Sequence, residues 1–241
     1  MHLQLRTLRA ASLALTASLS SALFAQTPCV DGNVDGYPCH GLDLLSVRTL
    51  EEVGGGANGN DCWGWADPVS GREIAMYGRS TGTSFIDVTD ATDVKYFANL
   101  PTATNPSLWR DIKVYNGYAF IVSEAGGHGL QIVRLSTLLE LPTDEVATIQ
   151  PDAYYDGFGN AHNIMINEET GFAYAIGTNT FNGGMHILDI EDPLNPVLVG
   201  SYEGAYSHDV HPIVYHGPDE AYVGREVVVC FNGYSGISIV D

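Results

Sequence analysis

The chain has 241 residues, is 45% hydrophobic, and carries a formal net charge of −19 with only two lysines, Lys95 and Lys113. So acidic a surface repels phosphate backbones and anionic headgroups, which excludes nucleic acid as an expected partner and disfavours adsorption to lipid. It suits solubility in salt or a cationic partner such as Ca²⁺.

Residues 1–25 read as a secretory signal peptide. Arg6 and Arg9 form a basic start, Ala10 to Leu23 is an uncharged apolar run, and Leu23-Phe24-Ala25 is the expected cleavage site. The run falls short of the roughly 20 apolar residues that span a bilayer. Cleavage would leave a single domain of about 216 residues, large enough for a real core. The expected location is the cell surface or the extracellular medium.

Residues 26–60 are rich in turns and read as an N-terminal extension. With four cysteines in an exported chain, disulfides are expected. Cys29 and Cys39 flank a glycine-rich turn and form the natural pair. Cys62 with Cys230 would be the second, although four cysteines permit three pairings. Asp31, Asn33 and Asp35 lie in Asp-Gly-Asn-Val-Asp-Gly, the first half of a calcium loop in which oxygen ligands alternate and glycine makes the turn. The acidic residue expected at the twelfth position is Leu42, so an ordinary Asx/Gly turn is the competing reading.

Residues 61–241 repeat. Gly82-Thr-Ser-Phe-Ile-Asp-Val recurs as Gly129-Leu-Gln-Ile-Val-Arg-Leu, Gly184-Met-His-Ile-Leu-Asp-Ile and Gly236-Ile-Ser-Ile-Val-Asp, at intervals of 47, 55 and 52 residues. Short β-branched and aromatic runs are strands. Each is preceded by a hairpin, plainest at Ile112–Tyr115 and Tyr118–Val122 around Asn116-Gly117, because both turn positions tolerate positive φ. Closing strands follow at Val94–Ala98 and Val197–Ser201, and Ser136–Glu140 is the one candidate helical turn. A four-stranded unit of this length is one blade of a β-propeller. The expected fold class is therefore all-β, a partial propeller of three blades and part of a fourth, behind a disulfide-stapled extension.

The Gly-x-x-Ile-Val-Asp-like element resembles the LVIVD repeat of bacterial surface proteins. The wider sequence resembles the choice-of-anchor B family through Tyr37-Pro38-Cys39, Asn60-Asp61-Cys62-Trp63-Gly64-Trp65, Leu108-Trp109-Arg110-Asp111-Ile112-Lys113-Val114, Gly159-Asn160-Ala161-His162-Asn163 and Ser207-His208-Asp209. The resemblance implies an exported propeller-like body attached by a sorting or anchoring signal. Any membrane association would run through such an anchor, which residues 1–241 do not show. The resemblance implies no particular activity.

The residues with the most chemistry open each unit: Arg110-Asp111, His162-Asn163 and His208-Asp209. First strands of blades line the channel of a propeller, so these side chains should converge on one axis. His162 and His208, with His128, Asp111, Asp209 or His211 nearby, form a candidate transition-metal site, since imidazole nitrogens are good ligands. The competing reading has the same histidines hydrogen-bonded across blades, with Arg110 breaking the symmetry a metal ring would need. Trp63, Trp65 and Trp109 stand beside unit starts, where they pack between blades or stack on a sugar. No nucleophile elbow, P-loop, His-Glu-x-x-His or dinucleotide fingerprint is present. The function expected is a binding or scaffold module for an extracellular protein or glycan. The alternative is a metal-dependent oxidase or hydrolase built on His162 and His208.

Overall fold

The structure, a computed structural model, describes residues 26–241; the expected signal peptide lies outside the described residues. The N-terminal extension folds as a small hairpin, β1 (Asn33–Val34) and β2 (Tyr37–Pro38), closed by the Cys29–Cys39 disulfide. Leu44 does not enter a strand; it makes one isolated bridge to Thr27.

Four small antiparallel sheets follow, and each repeat of the sequence is one sheet. Sheet one holds β3 (Gly59–Ala66), β4 (Glu73–Arg79), β5 (Gly82–Asp87) and β6 (Lys95–Pro101). Sheet two starts with β7 (Arg110–Tyr115), β8 (Tyr118–Ser123) and β9 (Leu130–Arg134). The chain then leaves it through the single helical turn α1 (Leu135–Leu138). It adds β10 (Ala147–Thr148) in parallel to the edge of β6 in sheet one, and returns as β11 (Ala153–Tyr155), the fourth strand of sheet two. Sheet three is β12 (Asn163–Asn167), β13 (Phe172–Ile176), β14 (Met185–Asp189) and β15 (Val197–Tyr202). Sheet four is β16 (Asp209–Val214), β17 (Glu226–Phe231) and β18 (Ile237–Val240). Among the described residues no helix is long and apolar enough to cross a membrane.

The β7–β8 turn is Asn116-Gly117 with φ of 52° and 78°, which matches the twist of the flanking strands. The glycines that open the third strands answer a steric demand. A side chain at Gly82, Gly129 or Gly184 would collide with the fourth-strand carbonyl of Leu100, Tyr155 or Tyr202.

Strand alternation sends one face of each sheet to the sheet before and the other to the sheet after. Met76 and Phe85 of sheet one meet Ile112, Ala119 and Ile121 of sheet two. Phe120, Leu130 and Ile132 of sheet two meet Ile164, Ala173 and Ala175 of sheet three. Tyr174, Ile176 and Met185 of sheet three meet Val210, Val228 and Cys230 of sheet four. Three apolar interfaces thus replace one central core. The segment before β3 covers part of the outer face of sheet one: Val53 is buried, its carbonyl accepts the Ser84 hydroxyl at 2.5 Å, and Arg79 donates to the Gly54 and Gly55 carbonyls at 2.7 and 3.0 Å.

The second expected disulfide does not form. Cys62 is an exposed free thiol on β3. Cys230 is a buried free thiol facing sheet three, its Sγ 3.8 Å from Met185 Sδ. Alternation fixes Cys230 in the sheet three–sheet four interface, turned away from any position Cys62 could reach.

Candidate functional site: a pocket across the first strands and its histidine mouth

The first strands β3, β7, β12 and β16 lie side by side in sequence order. The pairing registers make Asp111, Asn163 and Asp209 equivalent, opposite Val122, Ile176 and Phe231, and Asp61 occupies the matching place in the bulge of β3 between Gly59 and Cys62. All four line one cavity of about 220 Å³, together with Lys113, Met165 and Val210.

These side chains also lace the sheets together. Asp61 Oδ2 accepts the Ile112 N–H at 2.8 Å, and Asp111 Oδ2 accepts the Ile164 N–H at 2.8 Å. Asn163 donates to the His208 carbonyl at 3.1 Å and to Asp209 Oδ1 at 2.6 Å. One step earlier, Asn60 Oδ1 accepts the Arg110 N–H at 2.6 Å. An inner strand bordering a cavity must find partners for its backbone groups, and the repeat supplies them from the neighbouring sheet.

Lys113 is the cation of the pocket. Its Nζ donates to Asp111 Oδ1 at 2.5 Å and to the Ile112 carbonyl at 3.1 Å, and lies 4.8 Å from the centre of the Trp63 ring. Burial raises the Asp111 pKa; Lys113 offsets part of that rise, and the neighbouring Asp61 adds to it. Three aspartates against one lysine leave the pocket negative, a field that favours a cationic or hydrogen-bond-donating ligand.

The mouth is formed one residue before this ring. His162 and His208 come together with ring centres 4.3 Å apart. His162 Nδ1 lies 2.6 Å from Glu124 Oε1, and His208 Nδ1 lies 2.7 Å from Asp209 Oδ2. A carboxylate at Nδ1 holds the proton there and leaves Nε2 as the nitrogen that accepts a proton or a metal. Trp109 meets His162 edge-on at 6.3 Å and stays half-exposed. Burial raises the pKa of the Tyr206 phenol, and the carboxylates of Glu124 and Asp209 raise it further.

Two of the other expected ligands stand elsewhere. His128 is wholly buried between sheets one and two. Its Nδ1–H donates to the Gly129 carbonyl at 3.0 Å and its Nε2 accepts from Arg110 Nη1 at 2.9 Å, so neither nitrogen is free. Burial brings its pKa down to about 4, with the Arg110 charge acting in the same direction. Asp111 belongs to the pocket wall, not the histidine mouth. Among the described residues no three or more His, Cys, Asp or Glu side chains are grouped to hold a metal. Asp31, Asn33 and Asp35, the expected calcium-loop residues, fall in the β1–β2 hairpin and the turns around it. Asp31 and Asp35 are left-handed turn residues, and Asn33 Oδ1 is used on the Gly36 N–H at 3.1 Å. Of the tryptophans, Trp63 stacks on Lys113, Trp65 packs against the sheet one–sheet two core, and Trp109 stands at the mouth.

Sequence reasoning missed Asp61, Lys113, Glu124 and Tyr206. Asp61 was findable, because Asn60-Asp61 aligns with Arg110-Asp111 and His208-Asp209. Glu124 and Tyr206 lie between strands, outside the repeated strand pattern, and carried no signal. Also missed was His186, buried between Tyr155 OH at 2.8 Å and Thr180 Oγ1 at 3.0 Å, with its pKa drawn down to about 4 by burial.

A family model for the LVIVD repeat matches residues 109–136 and 158–204. The matched stretches cover the first three strands of sheet two and all four strands of sheet three, so LVIVD repeats are present in the chain. No curated protein matched it.

Proposed function

We propose that the chain is an exported β-propeller-type binding module whose axial pocket and histidine mouth face the ligand. The observation that supports this is the convergence of Asp61, Asp111, Asn163 and Asp209, one residue from each sheet, on a single negative cavity. In this reading the four sheets are blades around a common axis and belong to a ring of the usual four to eight. Signal-peptide cleavage after Ala25 releases the module outside the cytoplasm, and an extracellular protein or glycan presenting a basic or amine group is the ligand class that fits the field. The acidic surface disfavours nucleic acid. The test is a glycan and cationic-peptide binding screen on the secreted protein. Binding lost in an Asp61→Asn/Asp209→Asn double variant supports the reading; binding that survives it removes the pocket.

A second reading is favoured by the paired imidazoles. His162 and His208 each keep Nε2 free while a carboxylate holds Nδ1, the arrangement that orients histidines toward a transition metal. With solvent completing the coordination, such an ion would serve Lewis-acid or bound-water chemistry. Elemental analysis decides it. Stoichiometric zinc, copper or iron that disappears in His162→Ala/His208→Ala supports the metal reading, and metal-free protein rejects it.

A further inference from the structure

Sheet two departs from the repeat at one charged position. The fifth residue after the opening glycine of a third strand is Asp87, Asp189 and Asp241 in sheets one, three and four, and Arg134 in sheet two. In sheets one and four that aspartate takes an arginine from just before the second strand, Arg72 at 2.7 Å and Arg225 at 2.5 Å. Asp87 faces Ile74 and Arg134 faces Tyr118, so the place of Arg72 in sheet two is Asn116. The pair is thus reversed in charge on one side and made neutral on the other.

The reversal leaves a cation without a partner. Among the described residues every other lysine and arginine places its charged head on an acceptor within the protein. The backbone of Arg134 is fixed, its N–H on Asp152 Oδ2 and its carbonyl on the Thr137 hydroxyl, both at 2.7 Å. Its guanidinium makes no hydrogen bond and has no carboxylate within ion-pairing distance among the described residues, although the chain holds 29 acidic residues. It lies over the Tyr118 ring, 5.1 Å from the centre. A guanidinium placed over an aromatic face keeps its N–H edge for a planar acceptor.

Arg134 and Tyr118 border a cavity of about 490 Å³ between sheets one and two. Its size falls in the range of small-molecule sites, about 300–1,000 Å³. Trp65 and Asp67 line it from sheet one, and Asn116 and Ser136 from the side of Arg134. It lies at the opposite end of the first strands from the histidine mouth. Trp65 is half-buried, packed against the core yet open to the cavity. Asp67 is buried, and its Oδ2 accepts both the N–H and the hydroxyl of Ser70 at 2.6 Å, which fixes the carboxylate in place.

We propose that this cavity binds a uronic acid residue of a glycan. The sugar carboxylate takes the N–H edge of Arg134, the hydroxyls bond to Asp67 and Asn116, and the apolar ring face lies on Trp65. A pyranose bearing a carboxylate carries all three features at once. Negative charge alone does not satisfy the site, because Asp67 and the acidic surface oppose a ligand with several anionic groups. The site shares no residue with the first-strand pocket and is independent of it.

The test uses the whole chain and three probes: a disaccharide of one glucuronic acid and one neutral hexose, its methyl ester, and a triglutamate peptide. Calorimetry should show saturable one-to-one binding of the acid, with a shifted Trp65 indole N–H signal by NMR. The ester should bind about tenfold or more weakly, the loss expected for a charge-assisted paired contact. Arg134→Asp, which restores the residue that the other three sheets hold, should weaken the acid by a similar factor, and Arg134→Lys should recover part of the loss. The ester comparison needs no variant and stays decisive if Arg134→Asp misfolds. Asp61→Asn/Asp209→Asn should leave this binding unchanged. No binding of the acid, equal binding of acid and ester, or binding indifferent to Arg134→Asp in folded protein overturns the proposal. Triglutamate binding as tightly as the sugar would show recognition of charge alone and would overturn the stated ligand.

Discussion

Acidification offers a sharp test of how the sheet one–sheet two interface is held. Arg110 and His128 are both buried there, with no carboxylate within ion-pairing distance of Arg110 among the described residues. Burial lowers the Arg110 pKa to about 10, leaving it charged at neutral pH, and its Nη1 donates to His128 Nε2. That bond needs a lone pair on Nε2, so the fold requires neutral His128. A histidine with a folded pKa of about 4 and an unfolded value near 6.5 leaves stability intact above pH 6.5. Stability is lost as pH falls through the window, because the unfolded chain binds the proton first. At pH 5 about 1.5 units of the window have been crossed, which corresponds to about 2 kcal/mol. His128→Gln keeps an acceptor for Arg110 and removes the proton site. Urea unfolding of both proteins at pH 8, 7, 6 and 5 should show the variant losing about 2 kcal/mol less than wild type on going to pH 5. Parallel pH profiles, or a His128 imidazole titrating near 6.5 in the folded protein by NMR, would refute the argument. Comparing the two proteins cancels the other sites that titrate here, including His186, which acts in the same direction, and Asp111, whose raised pKa acts in the opposite one.

Other consequences are as direct. Asp111→Ala leaves buried Lys113 without its carboxylate and the Ile164 N–H without its acceptor, so a loss of about 3–5 kcal/mol in urea unfolding is expected. Phe120→Ala, at a wholly buried position between sheets two and three, should cost about 3–5 kcal/mol by the same assay. Thiol labelling of the native protein should modify Cys62 rapidly and Cys230 only after unfolding, with the Cys29–Cys39 pair unreactive until reduced; rapid labelling of Cys230 would contradict its place in the interface.

Strand content and repeat boundaries were legible because the same physics recurs four times. A glycine, then alternating apolar residues, then an aspartate (an arginine in sheet two) marks a third strand, and at Gly82, Gly129 and Gly184 the glycine is there because a neighbouring carbonyl passes where a side chain would sit. The fourth strand of sheet two escaped notice because the chain detours through α1 and β10 before β11, and no local pattern reports that return. The convergence of His162 and His208 followed from their position before the first strand, a property of the repeat. The failure with His128 has the opposite cause. Its partner Arg110 is 18 residues away, and only the packing of two sheets shows that both imidazole nitrogens are used. Cys62 and Cys230 were paired by counting, whereas strand alternation turns Cys230 into the sheet three–sheet four interface. The Asp-Gly-Asn-Val-Asp-Gly run supplied ligand-type oxygens and turn-type backbone at once, and the structure uses it for turns.

The central claim is that equivalent residues of successive first strands lace neighbouring sheets together, and backbone amide exchange addresses it residue by residue. The Ile112 and Ile164 N–H groups should exchange slowly. Asp61→Ala should speed exchange at Ile112, whose N–H keeps the longer bond to Asp111 Oδ1 at 3.0 Å, by a few-fold while leaving Ile164 protected, and Asp111→Ala should release Ile164 about tenfold or more, as the loss of a buried charge-assisted acceptor requires. Exchange at both amides indifferent to either substitution would mean that the sheets are not joined in this way.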